Sequence, residues 1–194
     1  LAARGLKIEN LKLFEKPPEE SVERAKITLQ SLGAMGANGG ITGDGMVMAA
    51  FPTEPRYAKL LVEGSRRGCI RETSMIAAIM DAGRIKLPIS DPYKNMEREE
   101  MAAGAHSEPE EILKLCALAK ANSFSDSFCR TYGIHAANAR KAFSIAADLE
   151  RLARARLNPK PENASSGALE KCILGAFSDH LAVRLNKGTL ACRM

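Results

Sequence analysis

The sequence predicts a mainly α-helical chain with a small hairpin near its start and a short β segment at its end. Three observations carry this. Apolar residues recur at steps of three and four through most of the 194 residues. Six glycines crowd positions 33–45, and strict period-two alternation occurs only after His180.

Pro17-Pro18 followed by Glu19, Glu20 and then Val22, Ala25, Ile27, Leu29 and Leu32 reads as a helix with proline in its first turn and acids at its positive end. Gly33 stops it. Asn38-Gly39-Gly40 between Ala34-Met35 and Ile41-Thr42 is a tight-hairpin signal. A helix leading into a glycine-turned hairpin has the form of a winged-helix wing. A helical turn or two is expected over 46–51, stopped at Pro52; Pro55 then opens a helix expected to end at Gly64. Met75, Ile76, Ile79 and Met80 place another over 72–82, with Gly83 as its stop. Residues 87–108 carry two prolines and little periodicity, which predicts a loop with a short helix at 96–103.

Ser107-Glu108-Pro109-Glu110 is a helix start ahead of Ile112, Leu113, Leu115, Cys116 and Ala119. A shorter helix is expected over 126–132. The longest runs over 135–157, because Ala139, Ala142, Ala146, Leu149 and Ala153 form a seam. Alanine there lets another backbone come close, which makes this helix central to its domain. Residues 158–167 are a connection and 168–176 a last helix. Leu181, Val183 and Leu185, the Asn186-Lys187-Gly188 turn, then Leu190 and Cys192 predict two strands that need a larger β-domain to be stable.

A hydrophobic fraction of 45% and a charged fraction of 26% are those of an ordinary folded domain. No basic-then-apolar leader ahead of a cleavage site is visible in the sequence, and no apolar run approaches the roughly 18 residues needed to span a bilayer, so a cytoplasmic, non-membrane chain is expected. Five widely spaced cysteines without a C-x-x-C pair fit reduced, buried thiols. Cys129 and His135 lack the two further ligands that zinc needs, so no metal or cofactor is expected in this chain.

Glycine loops cradle phosphates in nucleotide-binding proteins, but no Gly-Lys-Ser/Thr follows residues 33–45 and a helix precedes them. No Ser/His/Asp or Cys/His constellation is visible, so the chain alone is not expected to be an enzyme. Charge patterning is more informative. At about 100° per residue, Arg140, Arg151 and Arg154 lie opposite the alanine seam and Lys141 flanks them. Residues 137–160 hold six basic against two acidic side chains within a chain of net charge +5. Such a stripe can track a phosphate backbone, although a solvated face is the blander reading.

Leu32-Gly33-Ala34-Met35, Ile41-Thr42, Gly45, Met48-Ala49, Pro52, Glu54-Pro55-Arg56 and Ala58-Lys59 together resemble the winged-helix signature of DEAH-box RNA helicases. Gly68-Cys69, Glu72, Ile76-Ala77-Ala78, His106 and Phe128-Cys129-Arg130 resemble the ratchet region that follows it, and Phe177-Ser178-Asp179-His180 the entry to an OB-fold. The likeness is greatest to the bacterial HrpB-type branch. It implies a winged helix over 1–64, a helical-bundle ratchet domain over 65–166, and the last helix with the beginning of a truncated OB-fold over 167–194.

It also implies single-stranded RNA as a partner, for which the basic stripe of Arg140, Lys141, Arg151 and Arg154 is the candidate contact, and a module working with its own RecA-like domains; a monomer is expected. ATP and magnesium belong to those domains, which are not in this sequence. The alternative is a protein-docking platform over 17–62 that regulates the motor. The chain departs from the family at Thr42-Gly43-Asp44-Gly45, where Thr-Pro-Leu-Gly is usual, and at Phe128, Ala137 and Asp148, where tryptophan, arginine and glutamine are common.

Overall fold

The computed structural model describes residues 2–6, 8–105, 107–180, 183–184 and 192–193. Nine α-helices lie among the described residues, and the chain divides into two compact units, residues 1–69 with 155–194, and residues 70–154.

In the first unit, α1 (Glu19–Ser31) follows Pro18, whose carbonyl accepts from the amides of Ser21 and Val22. Gly33, at φ +72°, turns the chain out of the helix, and the Ala34 amide reaches back to the Leu29 carbonyl at 2.8 Å. Met35 then bridges Ile41 in antiparallel fashion around Gly39, with Asn38 Oδ1 accepting from the Gly40 amide at 3.0 Å.

The following helix, α2, spans Gly43–Met48 rather than 46–51. Thr42 explains the earlier start: its hydroxyl accepts from the Gly45 amide at 3.0 Å, so it caps a helix whose glycines concealed it. Gly45 is also needed for space, because a Cβ there would collide with the Ala34 carbonyl oxygen.

Helix α3 (Pro55–Arg67) runs through Gly64, where a stop was expected, and ends at Gly68 in the left-handed region. Gly64 is buried inside the helix with its neighbours Glu63 and Ser65. Gly68 has φ +69°, and a Cβ there would strike the Pro161 carbonyl oxygen. Ala58, Leu60, Leu61 and Val62 are all buried, and α3 packs chiefly on α9 (Ala168–Ala176). Replacing a fully enclosed leucine such as Leu61 by alanine would cost about 2–5 kcal/mol. Strands β1 (Val183–Arg184) and β2 (Cys192–Arg193) pair antiparallel; the Asn186-Lys187-Gly188 turn, Leu181 and Leu190 lie outside the described residues.

In the second unit, α4 (Ile70–Ala82) buries most of its length and Gly83, at φ +92°, ends it. Helix α5 spans Pro92–Met101, earlier than the expected 96–103, because Asp91 accepts from the amides of Tyr93 and Lys94 and Pro92 occupies the first helical position. Helices α6 (Glu108–Ala121, capped by Ser107) and α7 (Asp126–Thr131) follow, and then α8 (Ala136–Leu157), which belongs to this unit as far as Arg154. The core of this unit gathers Ala78, Ile85, Leu115, Cys116, Cys129, Ile134, Ala139, Ala142 and Ala146, so the alanine seam of α8 is enclosed as its spacing required. No described helix is long and apolar enough to cross a membrane.

Candidate nucleic-acid interface

Helix α8 begins at a cap that the sequence reading missed. His135 Nδ1 accepts from the Asn138 amide at 3.2 Å, and Asn138 Nδ2 donates to the Arg84 carbonyl at 2.9 Å. With Ala139, Ala142, Ala146, Leu149 and Ala153 all buried, the opposite flank is left to solvent, and Arg140, Lys141, Arg151 and Arg154 are exposed on it. From Arg140 to Arg154 the flank extends about 21 Å at 1.5 Å per residue.

These four cations are not equivalent. Arg140 donates to the Phe124 carbonyl at 2.9 Å and its guanidinium lies 5.5 Å from the centre of the Phe124 ring. Phe124 is held at φ +53° in the loop after α6, and its ring meets Phe143 edge-on at 5.7 Å. Lys120 sits 4.6 Å over the Phe143 ring, which adds a cation to the same neighbourhood. Farther along, Arg151 pairs with Asp148 at 3.0 Å, and Arg154 places Nε and a terminal nitrogen on one Glu150 oxygen at 3.0 and 2.8 Å. Lys141 has no ion pair among the described residues. The flank therefore presents one free lysine, one arginine anchored to an aromatic loop, and two arginines shared with acids on their own helix.

A second charged cluster lies on α3 in the first unit and is a framework element. Glu63, 7% exposed, accepts from Lys59 at 2.9 Å, from Arg66 at 3.5 Å and from Arg67. Arg66 also chelates Asp44 at 2.6 and 2.9 Å. Burial pushes the Glu63 carboxyl up, but the Lys59 hydrogen bond and the charges of Lys59, Arg67 and Arg66 outweigh it and leave the group below its ordinary value. Arg66 holds Asp44 below its ordinary value by hydrogen bonding, against a smaller opposing effect of burial. At the start of α3, Arg56 grips Asp179 through 2.6 and 2.5 Å hydrogen bonds and donates to the Ala176 carbonyl at 3.1 Å. Sequence spacing offers no signal for a pair 123 residues apart.

The cysteines whose side chains are described are buried. Burial pushes the Cys116 thiol up to about 12, and the neighbouring Cys69 raises Cys172. Such thiols stay protonated and are poor nucleophiles. No group of three or more potential metal ligands occurs among the described residues, and His106 lies outside them.

Comparison with known proteins matches residues 54–183 to the family described as "Helicase associated domain (HA2), ratchet-like". The chain is 25% identical over 97% of its length to ATP-dependent RNA helicase DHX33 of Drosophila melanogaster, of which it covers 28%. It is 28% identical over 78% of its length to pre-mRNA-splicing factor ATP-dependent RNA helicase prp22 of Schizosaccharomyces pombe, of which it covers 13%. It thus spans less than a third of these relatives. Two-thirds of the chain falls within the family match, from the α3 start that Arg56 anchors to the first residue of β1, and on that ground the chain belongs to the ratchet-like helicase-associated (HA2) family.

Proposed function

We propose that this chain is the accessory module of an ATP-dependent DEAH-box RNA helicase and that the exposed flank of α8 lines the path of single-stranded RNA. One observation carries this reading: Arg140, Lys141, Arg151 and Arg154 are all exposed on the side of α8 opposite its buried alanines. Family membership and the names of the relatives agree with it. In this reading α1, the Met35–Ile41 bridge, α2 and α3 form a winged helix that braces the motor, and β1 and β2 open an OB-fold. ATP and magnesium would be handled by RecA-like domains outside this chain, in a monomeric cytoplasmic protein of the bacterial HrpB-type branch.

Fluorescence anisotropy with a labelled single-stranded RNA, at several salt concentrations, tests the flank. Wild-type chain is expected to bind with affinity that falls as salt rises, by about 0.7 log units per tenfold salt for each phosphate neutralised. The Arg140→Glu/Arg151→Glu/Arg154→Glu variant should lose that binding. Equal binding by the two proteins removes the flank from the mechanism.

A second reading, a docking platform that regulates the motor, is favoured by α1, which fully buries none of its residues and leaves Ile27 58% exposed. Met46 of α2 is 50% exposed. Purified motor domains would then be retained by the chain with or without nuclease, and Ile27→Asp would release them. Loss of retention on nuclease treatment selects the RNA reading.

A further inference from the structure

We infer that Arg140 is a shelf on which a base of single-stranded RNA stacks, in contrast to the phosphate-tracking role of the other cations on α8. The inference rests on the reading of the α8 flank as an RNA path and names the part of the strand that one residue of it takes. All the side chains involved lie in the second unit.

Arg140 differs from Arg151 and Arg154 in what it touches. Those two share their charge with Asp148 and Glu150, whereas Arg140 makes no ion pair among the described residues. Its guanidinium lies over the Phe124 ring, 5.5 Å from the centre, and one terminal nitrogen donates to the Phe124 carbonyl at 2.9 Å. Ring and hydrogen bond together fix the plane. Arg140 is exposed, so with the ring against one face of the guanidinium the other is left to solvent.

The loop that carries the ring is built at a cost. Ser123 and Phe124 stand in succession at φ +52° and +53°, a region that glycine enters freely and a bulky side chain rarely does. Amide bonds from Ser123 to the Lys120 carbonyl at 2.9 Å and from Phe124 to the Ala119 carbonyl at 2.7 Å hold this turn against the end of α6. Phe143, one turn after Arg140 on α8, meets the Phe124 ring edge-on at 5.7 Å and keeps it from swinging away. The shelf is thereby set before any strand arrives, which lowers the ordering cost of binding.

A base suits this arrangement better than a phosphate does. An arginine clasps a phosphate end-on through two nitrogens, and here one terminal nitrogen is already spent on the Phe124 carbonyl. Stacking uses the open face and leaves that hydrogen bond intact. Unpaired RNA bases stack on guanidinium planes as they do on aromatic rings, and every base has such a face, so the contact is tolerant of sequence. Lys120, 4.6 Å over the Phe143 ring, and Lys141 flank the shelf with charge that holds the backbone close.

The test compares two fluorescently labelled strands by anisotropy: a single-stranded RNA, and the same ribose-phosphate backbone with its bases absent. At equal salt the wild-type chain is expected to bind the base-bearing strand about 5-fold or more tightly than the abasic one. Arg140→Lys keeps the charge and loses the plane. It should close most of that gap, leaving abasic binding and the salt dependence on both strands as they were.

Equal wild-type affinity for the two strands overturns the shelf. So does an Arg140→Lys variant that weakens both strands alike, since the residue then acts through its charge, or one that leaves the gap intact, since the bases then stack elsewhere. Failure of the RNA path itself has a different signature: wild type and Arg140→Glu/Arg151→Glu/Arg154→Glu bind alike. If the shelf alone fails, the triple variant still loses salt-dependent binding, and that binding is blind to the bases.

Discussion

Removing the acids that share the α8 arginines should strengthen RNA binding, and the structure sets the size of the effect. Asp148 and Glu150 hold Arg151 and Arg154 at 3.0 and 2.8 Å. The Arg151 pair is open to water, with side chains 74% and 65% exposed, and the Arg154 pair is more sheltered at 45% and 27%. Exposed pairs of this kind are worth about 0.2–1 kcal/mol each, so an incoming phosphate must displace up to about 2 kcal/mol of internal pairing in total. In Asp148→Asn/Glu150→Gln that competition vanishes, and affinity should rise by roughly 2- to 30-fold at low salt. If both arginines then engage phosphates fully, the log–log salt dependence steepens by up to about 1.4. The assay is the same anisotropy titration, run beside Glu19→Gln/Glu20→Gln, which changes net charge equally on α1. Unchanged affinity and slope in the α8 variant, or an equal gain in the α1 control, would refute the claim that Arg151 and Arg154 face the RNA.

Glu63→Gln should destabilise the first unit by about 2–3 kcal/mol: the well-buried Lys59 pair carries most of the loss, and the half-exposed Arg66 and Arg67 pairs add little. Urea denaturation followed by circular dichroism measures it, and a loss below about 0.5 kcal/mol would contradict the network. Because Glu63 and Asp44 are held below their ordinary values, their contribution is present above the unfolded carboxylate pKa, about 4, and is lost as pH falls through the lowered folded value. The acid limb of a stability-against-pH curve should therefore be shallower in Glu63→Gln than in wild type. Gly68→Ala should cost about 2–4 kcal/mol, since the left-handed backbone and the Pro161 carbonyl both oppose a Cβ; a neutral result would mean that the connection after α8 shifts freely.

Local signals made much of the helical order readable. Ser107 with its following acids and the alanine repeat of α8 located those helices to within a residue or so, because a cap or a seam depends on neighbours in sequence. Where the local signal was ambiguous the bounds moved. Gly64 and Gly68 look alike in the sequence, yet one sits in a helix interior and the other at φ +69°, where a Cβ would strike the carbonyl oxygen of Pro161, far along the chain. Helix α5 buries only Arg98, so it offered no apolar stripe, and its start was marked solely by the Asp91-Pro92 cap. The same distinction applies to the interface. The placement of Arg140, Arg151 and Arg154 follows from 100° per residue, and their acids at i−3 and i−4 were there to be read. Arg140's hold on Phe124 and the Arg56–Asp179 grip depend on chain returns that periodicity cannot encode.

The family match opens at residue 54, one position before α3 begins. A cut at 64/65 would pass through α3, which is continuous from Pro55 to Arg67. Both ends of α3 are tied to residues that come a hundred positions later: Arg56 to Asp179 and the Ala176 carbonyl, Ser65 through its carbonyl to the Lys160 amide at 3.0 Å. Just past the end of α3, Cys69 lies beside Cys172 of α9, their sulfurs 3.6 Å apart, both within the first unit. Helix α9 has Ala168, Cys172 and Ala176 on its buried face, small side chains that suit the close approach of another helix, and α3 supplies it. Helix α3 is thus as much the partner of the last helix as the successor of α2.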